Sequence, residues 1–262
     1  MKTHRKYGQP PSRVILVHGG PGAVGEMSPV ARQLASGFGV MECLNRAFTI
    51  DGQLLELTKC ADICSGVKPI VVGFSWGAWL SILFAAQYPD RLNKLILISS
   101  GPLEEKYAQK IHETRMNRLE IEQREEFYSL LKKMETTTSS EREASFKKLG
   151  LLVSQSDSFD PIEDTGNDTK LSPEVYYPVW KEASKLRRSG QLLDYFNSIT
   201  CPIVAIHGDY DPHPSEGIRI PGEKSPCDFH FELLKNCGHK PWIEKQAKED
   251  FYRVLEKHLN ES

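Results

Sequence analysis

The sequence is poor in the features that would send it to a membrane, a nucleic acid or a disulfide framework. No stretch approaches the roughly 18 uninterrupted apolar residues that span a bilayer. The basic opening Met1–Tyr7 is not followed by the apolar segment of about 7 to 15 residues that a secretory signal needs, so the expected location is cytoplasmic. Charge of one sign is also missing: Lys and Arg number 33 against 35 Asp and Glu, for a net charge of -2. That balance lacks the basic footprint nucleic acid demands, and no nucleic-acid or membrane partner is expected. Six cysteines are too few for a disulfide scaffold in a chain of 262 residues. Cys60 and Cys64 lie four apart, but without further Cys or His ligands at short spacing they read as reduced core thiols, and no metal site is expected. Neither a dinucleotide fingerprint nor a phosphate loop occurs, so no cofactor is expected.

What is present is the composition of an ordinary globular protein, 39% hydrophobic and 26% charged, at a length that suits one large domain. Apolar runs at Val14–His18, Gly39–Cys43, Ile70–Phe74, Leu92–Ser99, Ile203–His207 and Phe229–Leu234 read as strands. Helical periodicity falls between them, at Pro29–Ser36, Ile50–Cys64, Trp76–Tyr88 and Pro241–His258. This alternation predicts an α/β fold, a mostly parallel sheet with helices on both faces. After Gly101 the rhythm stops. From Leu103 to about Ser198 there is no convincing strand, and Phe127, Leu130, Leu131 and Met134 mark a helix by their spacing. Met134–Ser140 reads as a loop, and so does the acidic, Pro- and Gly-punctuated stretch Ser154–Asp168. Residues 102–198 are therefore expected to form a helical lid inserted into a core made of 1–101 and 199–262.

Two short motifs carry the chemistry. Gly73-Phe74-Ser75-Trp76-Gly77 lies between a strand and an apolar helix. A serine on such a turn needs strained backbone, and small residues two positions to either side let strand and helix approach. The helix N-terminus beside Ser75 then offers free N–H groups to a developing negative charge. An acyl-transfer site needs a second backbone N–H, from the loop after an earlier strand. His18-Gly19-Gly20-Pro21-Gly22 directly follows the strand at Val14, and its glycines allow close backbone approach while Pro21 stiffens the turn. The N–H groups of Trp76 and Gly20 are assigned to the oxyanion hole, with Gly19 as the alternative to Gly20.

With these motifs the chain resembles the α/β-hydrolase superfamily, and HGGPG together with GFSWGAW is most similar to its proline iminopeptidase branch. The resemblance implies an acid and a histidine downstream of the serine, in that order. The matching positions are Asp211 in IHGDYDPHP and His239 in NCGHKPWIE. Their implied roles are those of a triad: His239 accepts the Ser75 proton as general base, and Asp211 fixes its tautomer. Asp209 competes for the acid role, but the family spacing Gly-x-x-Asp favours Asp211. His18, His207 and His213 read as structural supports, and Trp76 and Trp79 as packing and pocket wall. Two departures stand out. Only about a dozen residues precede the first strand, so the sheet is expected to lack the family's opening hairpin. A loop of the form Arg-Gly-x-Gly-x-Ser is replaced by Cys43–Thr49, which leaves substrate specificity open.

The expected activity is hydrolysis of a small ester, amide or short peptide through an acyl-enzyme. A peptidase would need a lid carboxylate for the substrate's free amine, since an unpaired ammonium in a closed pocket is costly. Glu104, Glu105 and Glu113 are the candidates. A general short-acyl esterase, or an idle hydrolase fold that binds a ligand or partner, are the alternatives.

Overall fold

A computed structural model describes residues 2–64, 66–136, 139–162 and 168–261. In chain order its strands are β1 (His4–Tyr7), β2 (Ser12–Val17), β3 (Ala23–Val24), β4 (Gly39–Cys43), β5 (Ile70–Phe74), β6 (Lys94–Ile98), β7 (Lys170–Leu171), β8 (Ile203–Gly208) and β9 (Phe229–Leu234). The helices that precede and follow β5 are α1 (Ser28–Leu34), α2 (Ile50–Ile63) and α3 (Trp76–Gln87). Between β6 and β8 come α4 (Ala108–Arg118), α5 (Ile121–Thr136), α6 (Ser139–Asp157), α7 (Pro173–Ser189) and α8 (Gln191–Asn197), and the chain closes with α9 (Glu216–Lys224) and α10 (Lys248–Asn260).

Seven strands form one sheet in the order β1-β4-β2-β5-β6-β8-β9, parallel except for β1. Strands β4, β5, β6 and β8 are buried along their whole length because both sheet faces are covered, as parallel sheets require. Alternation along β2 shows how. Val14 and Leu16 join α1 and α10 in one core, while Ile15 and Val17 join α2, α3 and α8 in the other. From β2 the chain moves outward to β4 and then returns past β2 to β5. The reversal leaves a crevice at the carboxyl ends of β2 and β5, the place where open α/β sheets bind ligands.

Several expectations are corrected in detail. His4–Tyr7, expected to contain no strand, pairs antiparallel with β4 at the sheet edge, His4 opposite Cys43. Met134–Thr136 continues α5 rather than starting a loop; residues 137–138 lie outside the described residues. Of the loop expected at Ser154–Asp168, the first four residues belong to α6, and 163–167 lie outside the described residues. The helix expected at Pro241–His258 divides into a 3-10 turn, Pro241–Ile243, and α10.

The segment between β6 and β8 has a small core of its own, with Met116 and Leu119 packed on Phe127, Leu130 and Leu152. It is stitched to the loop after HGGPG by the short pair β3–β7, Ala23 opposite Leu171, and by Ser172 N–H donating to the Gly22 carbonyl at 3.0 Å. Among the described residues no helix is long and apolar enough to cross a membrane.

Candidate active site

Ser75 sits where β5 turns into α3, with φ 52° and ψ -113°, a left-handed conformation that a residue with a Cβ adopts only under strain. Its N–H is tied to the Ile98 carbonyl of β6 at 3.0 Å. The glycines two residues away are sterically required. A Cβ on Gly73 would lie 2.3 Å from the Gly77 carbonyl oxygen, and one on Gly77 would lie 2.3 Å from that of Val17 in β2. Helix and sheet thus meet at backbone contact and lift the serine out at the crevice.

The HGGPG loop is held from beneath by His18. This fully buried ring has Nδ1 2.8 Å from the Gly19 carbonyl oxygen and Nε2 3.3 Å from that of Asn45, so it supports the loop as expected. Among the described residues, neither the Gly20 N–H nor the Trp76 N–H meets a protein acceptor. The two residues follow β2 and β5, one on each side of the crevice. Gly19 faces inward, where a Cβ would strike the Phe74 ring and Glu26, whereas a Cβ on Gly20 would meet only Ala23 at 3.4 Å.

At the ends of β8 and β9 the structure brings the acid and the imidazole to the serine. His239 Nε2 is 3.0 Å from Ser75 Oγ, and His239 Nδ1 is 2.7 Å from Asp211 Oδ2. Burial would push the Asp211 carboxyl up, but His239, His213 and His207 around it, with the His213 hydrogen bond, hold it well below the usual carboxylate range. An ionised carboxylate only accepts. His239 Nδ1 therefore donates to Asp211, and Nε2 is the nitrogen that faces the serine. Asp209 is placed elsewhere: its carboxylate accepts from Cys237 N–H at 3.3 Å and lies 3.5 Å from Lys235 Nζ. Gly208 lets the two loops meet, since a Cβ there would lie 2.1 Å from the Cys237 carbonyl oxygen.

The segment between β6 and β8 reaches this site through α4, α6 and α7. The Asp157 carbonyl accepts the His239 N–H at 2.8 Å, and its carboxylate takes a bidentate pair from Arg115 at 2.6 and 2.7 Å. Burial works against the Arg115 charge, yet Asp157 outweighs it and raises the guanidinium above its ordinary pKa. Fully buried Glu244 braces the same loop by accepting N–H from Gly238, Phe159 and Asp160 at 2.8 to 3.0 Å. Trp79 donates to the Gly101 carbonyl and stacks on Trp180 of α7, with ring centroids 5.7 Å apart; Trp180 stacks on Tyr176 in turn. Trp76 donates to Gln53. The proposed amine carboxylates are engaged or outward: Glu104 pairs with Lys106, Glu105 with Arg187, and Glu113 is exposed.

His213, read from sequence as a structural residue or a support of the catalytic ones, bonds to Asp211 and stacks on His239, and Phe74 packs on His239 as well. The place of His213 two residues after Asp211 was the available signal; the contacts of Glu244 and Arg115 join distant segments and left none. Asp211, His213 and His239 also offer metal-type ligand atoms within 4.8 Å of one another. Those atoms are already joined by two N–H···O bonds of 2.7 Å, and an ion there would displace both protons.

The sequence pattern of the alpha/beta hydrolase fold family matches residues 59–246. No curated protein sequence matches the chain. Among solved structures the chain is similar to VinJ, with 18% identity and a TM-score of 0.69 over 98% of this chain and 93% of that one. It is also similar to a monoacylglycerol lipase from Paleococcus ferrophilus (19% identity, TM-score 0.62, 98% and 97% covered). An enol-lactonase from Burkholderia xenovorans LB400 aligns equally well (16% identity, TM-score 0.62, 98% and 96% covered). At these identities the likeness establishes a shared fold.

Proposed function

Because the chain belongs to the alpha/beta hydrolase fold family, we propose that it is a serine hydrolase that cleaves a small carboxylic ester through an acyl-enzyme on Ser75. The observation that carries this reading is the relay Ser75 Oγ, His239 Nε2, His239 Nδ1, Asp211 Oδ2, at 3.0 and 2.7 Å. In the first step Ser75 Oγ bonds to the ester carbonyl carbon while its proton passes to His239 Nε2. The carbonyl electron pair moves onto oxygen, where the N–H groups of Trp76 and Gly20 receive it; a donor of this kind is worth about 10²- to 10³-fold in rate. The bond to the leaving alcohol then breaks, and the alcohol oxygen takes the proton from His239. Water repeats the sequence on the acyl-enzyme, and the carboxylic acid leaves. Asp211 stays ionised throughout and stabilises the transient imidazolium.

In this reading residues 102–198 supply a helical cap over a core of 1–101 and 199–262, with α8 at the end of that segment packed into the sheet's own core. An ester or lactone is favoured over a peptide because, of the three carboxylates that would hold a free amine, Glu104 and Glu105 are already paired with Lys106 and Arg187 and Glu113 is exposed. The lipase and lactonase names among the similar folds point to the same bond type. A short-chain nitrophenyl ester and a prolyl anilide with a free amine, assayed side by side, test the choice. The ester should be hydrolysed preferentially, and Ser75→Ala should lose on the order of 10³-fold or more. Preferential cleavage of the anilide would restore the peptidase reading, and turnover unchanged in Ser75→Ala would end both.

A further inference from the structure

The acid of the proposed relay has a second histidine. Asp211 is buried, and a carboxylate on one sp³–sp² torsion rotates over a broad range unless both oxygens are held. Oδ2 serves His239. Oδ1 accepts twice from His213, from its backbone N–H at 2.9 Å and from its ring Nδ1 at 2.7 Å. The His213 ring also stacks on the His239 ring, centroids 4.4 Å apart and planes 29° apart, and Phe74 packs on His239 at 5.0 Å. His213 is fixed in turn by its carbonyl, which lies 2.8 Å from His207 Nε2. Burial pushes the His213 imidazole down to about 4, against the pull of Asp211, so the ring is neutral at physiological pH and gives Asp211 a hydrogen bond without a full charge. The charged or titratable groups facing it are Asp211 on its own loop, His239 from the loop after β9, His207 from β8 and Arg115 from α4.

We propose that His213 is a positioning residue: its Nδ1–H locks the Asp211 carboxylate in the one rotation that presents Oδ2 to His239, and so keeps the His239 imidazole aimed at Ser75. The inference rests on the hydrolase reading above only for its kinetic consequence. Without Nδ1–H, Oδ1 keeps only the backbone N–H of His213; a carboxylate held by that one bond turns more readily and lets the imidazole swing, and misplacement of reacting groups by about 1 Å costs on the order of 10²-fold in rate. Substrate binding is left alone, because His213 acts through Asp211 and His239.

Two substitutions separate donor from ring. His213→Asn keeps an N–H donor at the same number of bonds from Cβ as Nδ1; His213→Phe keeps an aromatic ring and removes the donor. With p-nitrophenyl acetate, kcat of His213→Phe should fall about tenfold to hundredfold with KM within about twofold, while His213→Asn should stay within about threefold of the native kcat. His213→Leu carries the same expectation as the Phe variant should the latter not fold. Proton NMR gives a readout independent of turnover: the far-downfield resonance of the His239 Nδ1–H bonded to Asp211 should persist in His213→Asn and broaden away in His213→Phe. An unchanged kcat in His213→Phe, or an equal loss in both variants, overturns the inference. If the native protein neither hydrolyses the ester nor reacts with a fluorophosphonate, the hydrolase reading falls. The resonance then decides alone: selective loss in His213→Phe supports the positioning role, and persistence in both variants refutes it.

Discussion

Gly77→Ala is the sharpest test of how the fold creates the site. On helix propensity alone the change should help, because Ala in a helix is favoured over Gly by up to about 1 kcal/mol. The structure says otherwise. The added Cβ would lie 2.3 Å from the Val17 carbonyl oxygen and 2.5 Å from that of His18, where an ordinary contact begins at 3.4 Å. About 1 Å of separation must be found between α3 and the end of β2, and both obstructing atoms are backbone. Overpacking of this kind costs about 1–3 kcal/mol, more than the propensity gain. The same displacement moves Ser75 and Trp76 away from Gly20, and a shift of about 1 Å costs on the order of 10²-fold in reactivity. The assay pairs thermal unfolding with the second-order rate at which a fluorophosphonate modifies Ser75. Gly37→Ala is the control, since an added Cβ there has no atom within 4 Å, and it should match the native protein in both measurements. A Gly77→Ala protein with native melting temperature and native labelling rate would refute the argument that close approach at this turn builds the site.

Other predictions follow from the same geometry. Asp211→Asn should lower kcat on the order of 10⁴-fold by removing the ionised acceptor at His239 Nδ1, while Asp209→Asn, whose carboxylate serves Cys237 and Lys235, should stay within a few-fold; steady-state kinetics that rank the two in reverse would contradict the assignment. Acid should destabilise the fold through His213. Its folded pKa is depressed from 6.5 to about 4, so the unfolded chain binds the extra proton, and this contribution is full above pH 6.5 and is lost as pH falls towards 4. Urea unfolding at pH 7 and pH 5 should show the loss, and His213→Asn should show less of it; a steeper loss in the variant would contradict the sign.

The fold was legible where sequence pattern and burial coincide. The runs of β2, β4, β5 and β8 are mostly apolar because both sheet faces are covered, and glycines mark the turns that follow β2, β5 and β8. Ser75 and Asp211 stand just after such strands, and His239 in the Gly-containing loop after the partly buried β9, so each had a strand end to mark it. β1 was missed because HRKY is polar and lies on the sheet edge, held by backbone pairing to β4 rather than by an apolar face. α6 was hidden by its Ser- and Thr-rich approach and by its weak separation of polar and apolar faces. Nothing in the sequence shows that the end of α6 rests on the loop of His239, because the Asp157 carbonyl, Glu244 and Arg115 meet only once the chain has folded.

The central claim is that Ser75 is an activated nucleophile. Its most direct test is intact-mass and peptide mapping of the native protein after brief exposure to a fluorophosphonate. One adduct is expected, on the peptide carrying Ser75, absent in Ser75→Ala and slowed on the order of 10³-fold or more in His239→Ala. An unmodified native protein, or an adduct on another serine with Ser75 untouched, would contradict it.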